Sequence, residues 1–231
     1  MNKQYYKNEG KKYPRVTSIC NQLDKSQALT YWAAGCACDY ILQKLALSNF
    51  SIIRNIIEDA RTQFRTVSQE ALDIGGQVHS AIERWLNTGE EPKDPQPKVL
   101  AGFIAFLEWH DERKIKTLKT EHTLYGERAL GGYAGTCDWI CEFDNKTWVI
   151  DFKTSKKPKV KAGYEEWLYQ LSAYRLCILN CDAMGVLRLD KETGMPDWYP
   201  YTNKDYRRGL DVFNVLTNLW YLRHPNFKQE V

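Results

Sequence analysis

The sequence lacks the features by which exported and membrane proteins are recognised. No apolar run approaches the length of a membrane span, and the first residues, MNKQYYKNEGKKYP, lack the apolar segment of a secretory signal. No strong charge excess is present either, because 32 basic residues stand against 29 acidic ones and leave a formal net charge of +3. We therefore expect a cytoplasmic protein without a membrane partner, in which any contact with nucleic acid depends on a local basic patch.

Internal repeats and low-complexity tracts are also absent, and the composition is that of a globular protein. The chain has 231 residues, of which 43% are hydrophobic and 26% charged, which is enough for one sizeable core. Seven cysteines without an export signal indicate reduced thiols. We predict a single domain over residues 1–231, with a helical lobe at about 13–113 and an α/β core at about 114–231.

Hydrophobic periodicity predicts a helical first half followed by strands with period two. We predict helices at Thr17–Leu47 (with Thr17 or Ser18 as the N-cap), Ser68–Leu86, Lys98–Arg113, Tyr164–Asn180 and Lys204–Arg223. We predict strands at Lys116–Tyr125, Gly132–Phe143, Thr147–Thr154 and Ala183–Leu189. The prolines of Glu90–Pro97 indicate a loop, since proline is excluded from a helix interior.

Two acids inside apolar strands are the first sign of a functional site. Asp144-Asn145 suits a two-residue hairpin turn, because both residue types tolerate positive φ. A hairpin centred there places Asp138 directly opposite Asp151, with Cβ atoms about 4.5–5.5 Å apart. Such carboxylates repel unless one is protonated or a cation lies between them. A hard cation, Mg²⁺ or Mn²⁺, fits best, and Lys153 on the same strand face adds a positive charge.

A plainer alternative places both acids on the solvent face of an antiparallel hairpin, with Lys153 as an ordinary cross-strand partner. The stretch WVIDF is too apolar for an edge ribbon, and the glycines of GGYAGTCD allow something to approach the backbone closely. The acids and the lysine therefore favour metal-assisted attack of water on a phosphate, with the lysine stabilising charge or holding the nucleophile.

Helical spacing adds further candidates. His79 and Glu83 are four residues apart on one helical face, and Gly75 and Gly76 just before them are expected to break the helix or mark close packing. Trp167, Gln170 and Tyr174 form one stripe of another helix, which is either core or a face that meets something polar.

Candidate contacts with DNA lie on both sides of the acids in the sequence. Lys156 and Lys157 follow Asp151 in a lysine-rich segment that is either a solvated loop or an edge that contacts phosphates. Arg15 and Trp32 of the N-terminal region are candidates for contacting or stacking on a strand, with core packing as the alternative for Trp32.

Three motifs in order resemble those of the PD-(D/E)XK nuclease superfamily, and its RecB-like branch in particular. These are Gly135-Thr136-Cys137-Asp138, Asp151-Phe152-Lys153 and Gln170-Leu171-Ser172-Ala173-Tyr174, preceded by the histidine motif Gly75–His79. The segments YPRVTSI and ALTYWAA are similar to the openings of phage-encoded and mitochondrial single-strand DNA exonucleases of this group. The resemblance implies a restriction-endonuclease-like core, with a central mixed β-sheet flanked by helices and a helical N-terminal lobe.

The resemblance also implies roles for individual residues. Metal ligands would be His79, Asp138, Asp151, the backbone carbonyl of Phe152 and, by a looser match at the start of the strand before Asp138, Glu121. Lys153 would position or activate the water, while Gln170 and Tyr174 would orient the site or touch the DNA backbone. Some members carry a four-cysteine iron–sulphur cluster, but the cysteine spacing here departs from that pattern, so we expect none.

These observations predict a Mg²⁺- or Mn²⁺-dependent deoxyribonuclease, an exonuclease that acts in recombination, repair or replication of a phage or related element. DNA, as a single strand or a duplex end, would be the substrate, and a recombination or single-strand-binding protein a further partner. Two alternatives remain open. One is a non-catalytic DNA-binding or recombination-partner protein of the same fold, and the other is a structure- or sequence-specific endonuclease.

Overall fold

The computed structural model describes residues 5–23, 26–45, 53–155 and 163–227. The strands are β1 (Tyr5–Asn8), β2 (Lys11–Pro14), β3 (Lys116–Gly126), β4 (Tyr133–Phe143), β5 (Lys146–Lys153), β6 (Ala183–Leu189) and β7 (Pro196–Tyr201). The helices are α1 (Val16–Cys20), α2 (Ser26–Leu45), α3 (Ile53–Ala60), α4 (Gln63–Thr88), α5 (Pro97–Asp111), α6 (Glu165–Leu176) and α7 (Asn203–Arg223). The described residues form two compact units, one within 1–22 and 77–231 and the other within 23–76.

The centre of the larger unit is a five-stranded mixed sheet in the order β3-β4-β5-β6-β7. Neighbouring strands are antiparallel except β5 and β6, which are parallel. A parallel pair needs a crossover connection, and α6 lies between these two strands in the chain. Strands β1 and β2 form a separate two-stranded sheet. The predicted α/β class, with a central mixed sheet flanked by helices, is confirmed.

The hairpin of β4 and β5 has the predicted turn and register. Asp144 and Asn145 have φ values of 50° and 55°, and Trp139 pairs with Ile150. Both paired residues are buried. A slip of one residue would turn these side chains to the opposite face of the sheet, so the apolar pattern and the turn together fix the register.

Aromatic side chains of α5 cover one face of this hairpin. The Phe106 ring lies 5.9 Å from the Trp139 ring and 5.8 Å from the Phe152 ring, and the Trp109 ring lies 6.3 Å from Trp139. All four side chains are buried. Asp151 is buried as well, so this carboxylate belongs to the interior of the sheet and not to a solvent-facing ribbon.

The predicted helix Thr17–Leu47 is wrong as a single element, because α1 ends at Cys20 and α2 begins at Ser26. The Gln22 side chain stabilises the turn after α1 by donating hydrogen bonds to the carbonyls of Ile19 and Leu216, at 3.0 and 2.8 Å. Arg15 occupies the N-cap position of α1 instead of Thr17 or Ser18. The turn at the end of α1 thus has a distant partner on α7, which no local pattern could reveal.

Other differences concern glycines, helix ends and short elements. Helix α4 continues through Gly75 and Gly76, so the prediction that these residues break it is wrong. Helix α6 ends at Leu176 and not at Asn180, which adopts a φ of 57°. Elements β1, β2, α3 and β7 went unpredicted because they are too short, at four to eight residues, for a clear periodicity. Within the described residues no helix combines the length and apolar character that crossing a membrane requires.

Candidate active site

One carboxylate oxygen of Asp138, on β4, is approached by groups from both β5 and α4. The backbone nitrogen of Phe152 donates a hydrogen bond of 2.6 Å to Oδ2, and Nδ1 of His79 is 3.6 Å from that oxygen. Burial alone would raise the pKa of Asp138, but His79, Lys153 and the Phe152 amide hold it below its ordinary value. Asp138 is therefore an ionised carboxylate at neutral pH.

His79 is held between an acid and an aromatic ring. Its imidazole lies 5.8 Å from the Phe152 ring in an edge-on arrangement. Burial lowers the pKa of His79, whereas the negative charges of Asp138 and Asp151 raise it, and the net pKa is above the ordinary value. The predicted motif histidine thus lies beside the predicted motif acid.

The buried Asp151 and the half-buried Lys153 form an ion pair on β5, with Oδ2 and Nζ 2.5 Å apart. Residues two apart on a strand point to the same side, as the pairing requires. Burial, with Asp138 nearby, raises the pKa of Asp151 to about 6, although Lys153 opposes the rise. Burial lowers the pKa of Lys153, but Asp151 and Asp138 outweigh it, so the net pKa is raised and the amine keeps its proton.

Gln170 of α6 bridges this ion pair. Its Oε1 accepts from Nζ of Lys153 at 3.3 Å, and its Nε2 donates to Oδ1 of Asp151 and to the Tyr174 hydroxyl, both at 3.1 Å. A side-chain amide has one acceptor oxygen and two donor hydrogens, and here each has a partner. Of the two interpretations of the stripe Trp167, Gln170 and Tyr174, the polar contact therefore applies at Gln170. The Gln170 amide orients the two charged groups.

Gly135 of β4 provides the space that Tyr174 occupies. A Cβ at this position would lie 2.6 Å from Cε1 of Tyr174, closer than real Cβ contacts come. Glycine is therefore favoured at the first position of the Gly135–Asp138 motif for steric reasons, because any side chain there would displace the tyrosine that contacts Gln170.

His79, Glu121 and Asp138 can supply a common set of metal ligands, and we call them the ligand triad. One donor atom of each lies within 4.8 Å of the others. Glu121 lies in the middle of β3, not at its start, and its φ of 44° is rare for a non-glycine residue in a strand. Although Glu121 is exposed, the loss of some solvent around its carboxylate, together with Asp138 and Glu83, raises its pKa to about 7. This carboxylate is therefore one that a cation would stabilise.

Asp151 does not belong to the ligand triad, which is the one group of three or more close potential ligands among the described residues. Its oxygens contact Lys153 and Gln170 instead. Asp151 nevertheless lies near the triad, because the register that pairs Trp139 with Ile150 places it opposite Asp138. Metal ligation by Asp151 and by the Phe152 carbonyl stays a prediction.

The predicted DNA-contacting residues fall into three groups. Arg15 belongs to the unit that contains the ligand triad, and its guanidinium carbon lies 6.0 Å from the Tyr6 ring. Trp32 belongs to the second unit, where its ring packs edge-on against Phe64 at 6.4 Å and it is 37% exposed. Lys156 and Lys157 lie outside the described residues.

Tyr6 of β1 is a neighbour of the site that the sequence did not reveal. Its hydroxyl is 3.0 Å from Oγ1 of Thr136, which is in turn 3.1 Å from Oγ1 of Thr123. Thr136 precedes Asp138 by two residues. The contact spans 130 positions of the chain, so no local pattern signals it.

All seven cysteines are free thiols, and the expectation of no iron–sulphur cluster stays a prediction.

Comparison with known proteins finds sequence similarity to two curated exonucleases. The chain is 28% identical over 107 residues to mitochondrial genome maintenance exonuclease 1 of Homo sapiens, covering 46% of this chain and 30% of that protein. It is 29% identical over 132 residues to the Mus musculus protein of the same name, covering 56% of this chain and 38% of that protein. The chain thus spans about a third of the length of these curated relatives.

No family model matches the chain. A crystal structure from Eubacterium rectale that carries a provisional exonuclease name has a TM-score of 0.45 and 12% identity. The alignment covers 67% of this chain and 69% of that one. Sequence similarity therefore links this chain distantly to exonucleases.

Proposed function

We propose that this chain is a Mg²⁺- or Mn²⁺-dependent DNA exonuclease of the PD-(D/E)XK superfamily and its RecB-like branch. The observation that carries the proposal is the ion pair of the buried Asp151 with Lys153, oriented by Gln170 and set near the ligand triad. Such an arrangement has no evident use in a simple binding module, because burying charged groups is costly. The distant similarity to two exonucleases supports the same class of hydrolase.

The chemistry of the ligand triad fits a hard divalent cation. Carboxylate oxygens with one imidazole are donors that Mg²⁺ and Mn²⁺ accept. His79, Glu121 and Asp138 would hold the ion, and Asp151 and the Phe152 carbonyl are further proposed ligands. When bound, the ion supplies Lewis-acid polarisation of the phosphate and a lowered pKa of water.

The other residues would bind and orient the reacting groups. The Lys153 ammonium would stabilise the negative charge that develops on the phosphate, which suits its retained proton better than a role as a base. Asp151 would hold that ammonium in place, and Gln170 would fix both. Tyr174 would in turn fix Gln170, so it is proposed as a positioning residue.

The proposed reaction is hydrolysis of a phosphodiester. The water oxygen forms a bond to phosphorus, the bond from phosphorus to O3′ breaks, and the product carries a 5′-phosphate. Water gives up one proton to solvent, and the departing O3′ gains one. The proposed setting is recombination, repair or replication of DNA in a phage or related element, with a recombination or single-strand-binding protein as a partner.

The test is digestion of end-labelled linear single-stranded and double-stranded DNA beside a closed circle, with Mn²⁺ or with EDTA. We expect Mn²⁺-dependent loss of the linear substrates, and a rate lower by about 100-fold or more in Lys153→Ala and Asp151→Asn. Lys116→Ala is a matched control, because this exposed lysine also pairs with an acid, Glu142, and should leave the rate unchanged.

Four results would count against this assignment. No cleavage by the unmutated protein, or equal cleavage by the site variants, would contradict the proposed activity. DNA binding in EDTA without metal-dependent cleavage would favour a non-catalytic DNA-binding protein. Defined fragments from the closed circle would favour an endonuclease.

A further inference from the structure

The chain turns back on itself directly after α7. The helix ends at Arg223, and Pro225 two residues later cannot continue it. The backbone nitrogen of Phe227 donates a hydrogen bond of 2.9 Å to the carbonyl oxygen of His224, and the Phe227 ring packs edge-on against Trp220 at 4.8 Å. This turn therefore places an aromatic ring beside the end of the helix.

Strands β1 and β2 contribute another wall of a recess at this end of α7. The Tyr5 ring lies 6.2 Å from the Phe227 ring, and Nζ of Lys12 lies 5.7 Å from the centre of the Tyr5 ring. Trp220 and Arg223 line the same space, which has a volume of about 610 Å³. We call this space the aromatic recess. Its volume is in the range of known ligand sites.

The aromatic recess has positive charge in its walls and no negative charge. Of the ten described residues that line it, Lys12 and Arg223 are basic and none is acidic. The whole chain, by contrast, is nearly balanced, with 32 basic residues against 29 acidic ones. Arg223 is exposed, so its guanidinium is open to an approaching group. The aromatic recess is therefore complementary to a group that carries carboxylates.

A second recess adjoins the first and differs from it in chemistry. It has a volume of about 320 Å³ and shares His224 and Phe227 with the aromatic recess. Its described lining contains no lysine, arginine, aspartate or glutamate, and it includes Leu130 and Leu222, which are 51% and 71% exposed. We call it the apolar recess. Covering the two leucines removes apolar surface from water, so this recess favours an apolar side chain.

We propose that the two recesses together bind an acidic peptide segment of a partner protein. Its carboxylates face Arg223 at the aromatic recess, and an apolar side chain that follows them enters the apolar recess. Four of the other residues in the aromatic recess carry hydroxyl or amide groups, which can bond to a peptide backbone. Extended peptides are recognised in this way, by backbone contacts combined with pockets for side chains.

Two other occupants suit this surface less well. A nucleic-acid strand is a polyanion that matches Arg223, but its phosphates gain nothing from the apolar recess. A purely apolar surface, such as one from a second copy of the chain, covers the leucines but leaves the guanidinium desolvated without a counter-charge, which is costly. None of the described lining residues belongs to the candidate active site, so the inference does not depend on the proposed nuclease activity.

The first test asks which peptide chemistry the surface accepts. A fluorescein-labelled peptide of sequence GSDEDELLGS is titrated with the full chain in EDTA, beside GSKRKRLLGS and GSDEDEAAGS, and binding is followed by anisotropy. We expect the first peptide to bind about 10-fold tighter or better than the other two, which lack its acids or its apolar pair. Equal affinities for the three peptides, or no binding up to about 0.1 mM protein, would overturn the inference.

The second test changes one residue of each recess. Arg223→Glu should weaken binding of the acidic peptide by about 10-fold or more, and this loss should shrink as salt screens the charges. Leu222→Ser should weaken binding by about 5- to 10-fold at every salt concentration, because the lost contact is apolar. Both side chains are exposed, so their replacement leaves the packed core untouched. Unchanged affinity in either variant would contradict the inference.

The matched controls make the same changes elsewhere on α7. Arg207 is exposed, Val215 is 66% exposed, and neither is among the described residues that line the two recesses. Arg207→Glu and Val215→Ser should therefore bind the peptide like the unmutated protein. A loss in Arg207→Glu equal to that in Arg223→Glu would reduce the effect to general attraction between opposite charges, and the inference would fail. Equal losses in Val215→Ser and Leu222→Ser would have the same consequence for the apolar recess.

The other occupants give results of their own. An oligothymidylate that binds tighter than the peptide in EDTA, and is weakened by Arg223→Glu but not by Leu222→Ser, would assign the surface to nucleic acid. A dimer in light scattering that dissociates in Leu222→Ser would assign it to a second copy of the chain. Either result would overturn the inference.

These measurements separate the inference from the proposed function. Lys153→Ala should bind the peptide like the unmutated protein, because the recesses lie outside the candidate active site. Cleavage that depends on Mn²⁺, in a protein that binds none of the peptides, would overturn the inference alone. Selective peptide binding by a protein that never cleaves DNA would overturn the proposed activity alone.

Discussion

The backbone nitrogen of Phe152 donates a hydrogen bond of 2.6 Å to Oδ2 of Asp138. In a regular antiparallel ladder that nitrogen would bond to a backbone carbonyl, but here a side chain takes its place. Because His79 approaches the same oxygen at 3.6 Å, one carboxylate joins β4, β5 and α4. Asp138 is thus held by the fold itself, which is the preorganisation that catalytic electrostatics require.

Replacing Gly135 with alanine should damage the site through Tyr174. The new Cβ would lie 2.6 Å from a ring carbon of Tyr174, so the ring must move and its contact with Gln170 must loosen. We expect Gly135→Ala to lower the free energy of unfolding by about 1–3 kcal/mol, as overpacking does, and to reduce cleavage. Chemical denaturation and the digestion assay measure the two effects.

Gly76→Ala is the control for that substitution. Gly76 lies in α4 and is exposed, and a Cβ there would meet no described atom within 4 Å. Alanine is favoured over glycine in a helix by about 1 kcal/mol, so this variant should be as stable as the unmutated protein or more so. Equal stability losses in both variants would show that the contact with Tyr174 is not the cause.

Replacing Gln170 with leucine should separate positioning from folding. Leucine has a similar size but cannot bridge Asp151 and Lys153, so both charged groups lose their orientation. We expect about 10- to 100-fold slower cleavage and a higher Mn²⁺ concentration for half-maximal rate, as for other partners of metal sites. A variant that unfolds at a lower temperature but keeps its rate and Mn²⁺ dependence would contradict a positioning role.

The residues of the site that sequence reasoning placed correctly are linked by local geometry. The turn at Asp144-Asn145 fixes the register of β4 and β5, and with it the neighbourhood of Asp138 and Asp151. Alternation along a strand puts Lys153 beside Asp151, which the ion pair confirms. Such relationships depend on a few neighbouring dihedral angles, so a sequence pattern is enough to predict them.

Other features depend on contacts that are distant in the chain or on unusual backbone geometry. The contact of Tyr6 with Thr136 joins β1 to β4, and the bond from Gln22 to Leu216 stabilises the turn after α1. Glu121 reaches the ligand triad with a positive φ inside a strand, which alternation cannot predict. In each case tertiary structure outweighs local preference, so periodicity alone could not have found them.

Glu121→Gln should change how stability depends on pH when no metal is bound. The pKa of Glu121 is raised from its ordinary value of 4.5 to about 7, so the folded protein holds this proton more tightly than the unfolded chain. Stability from this group is therefore lost as pH rises from about 4.5 to about 7. In EDTA, the melting temperature of the variant should be above that of the unmutated protein at pH 7.5 and nearly equal to it at about pH 4.

Adding metal should reverse the order of the melting temperatures of the unmutated protein and Glu121→Gln. The Glu121 carboxylate would bind Mn²⁺ in the folded state, so adding the ion should raise the melting temperature of the unmutated protein more than that of Glu121→Gln. A melting-temperature difference that stays the same at both pH values would contradict the environment described for Glu121.

Arg188 of β6 is a buried cation with three partners. Its Nε donates to the carbonyl of Ser155 at 2.8 Å, its Nη2 pairs with Asp190 at 2.7 Å, and its Nη1 pairs with Asp197. Ser155 follows Lys153 by two residues, so this arginine also secures the chain where β5 ends. Burial alone would raise the pKa of Asp190, but Arg188 and nearby amides lower it.

Arg188→Leu should therefore lower the free energy of unfolding by about 3 kcal/mol at pH 7, because two partly buried acids lose their partner. Lys116→Ala, which breaks an ion pair of a lysine that is 71% exposed, should cost only about 0–1 kcal/mol. The lowered pKa of Asp190 stabilises the unmutated protein above the ordinary pKa, and this contribution is lost as pH falls through the lowered value. The cost of Arg188→Leu in urea denaturation should shrink in acid, and a cost that is equal at pH 7 and in acid would show that lost packing, not lost charge pairing, is responsible.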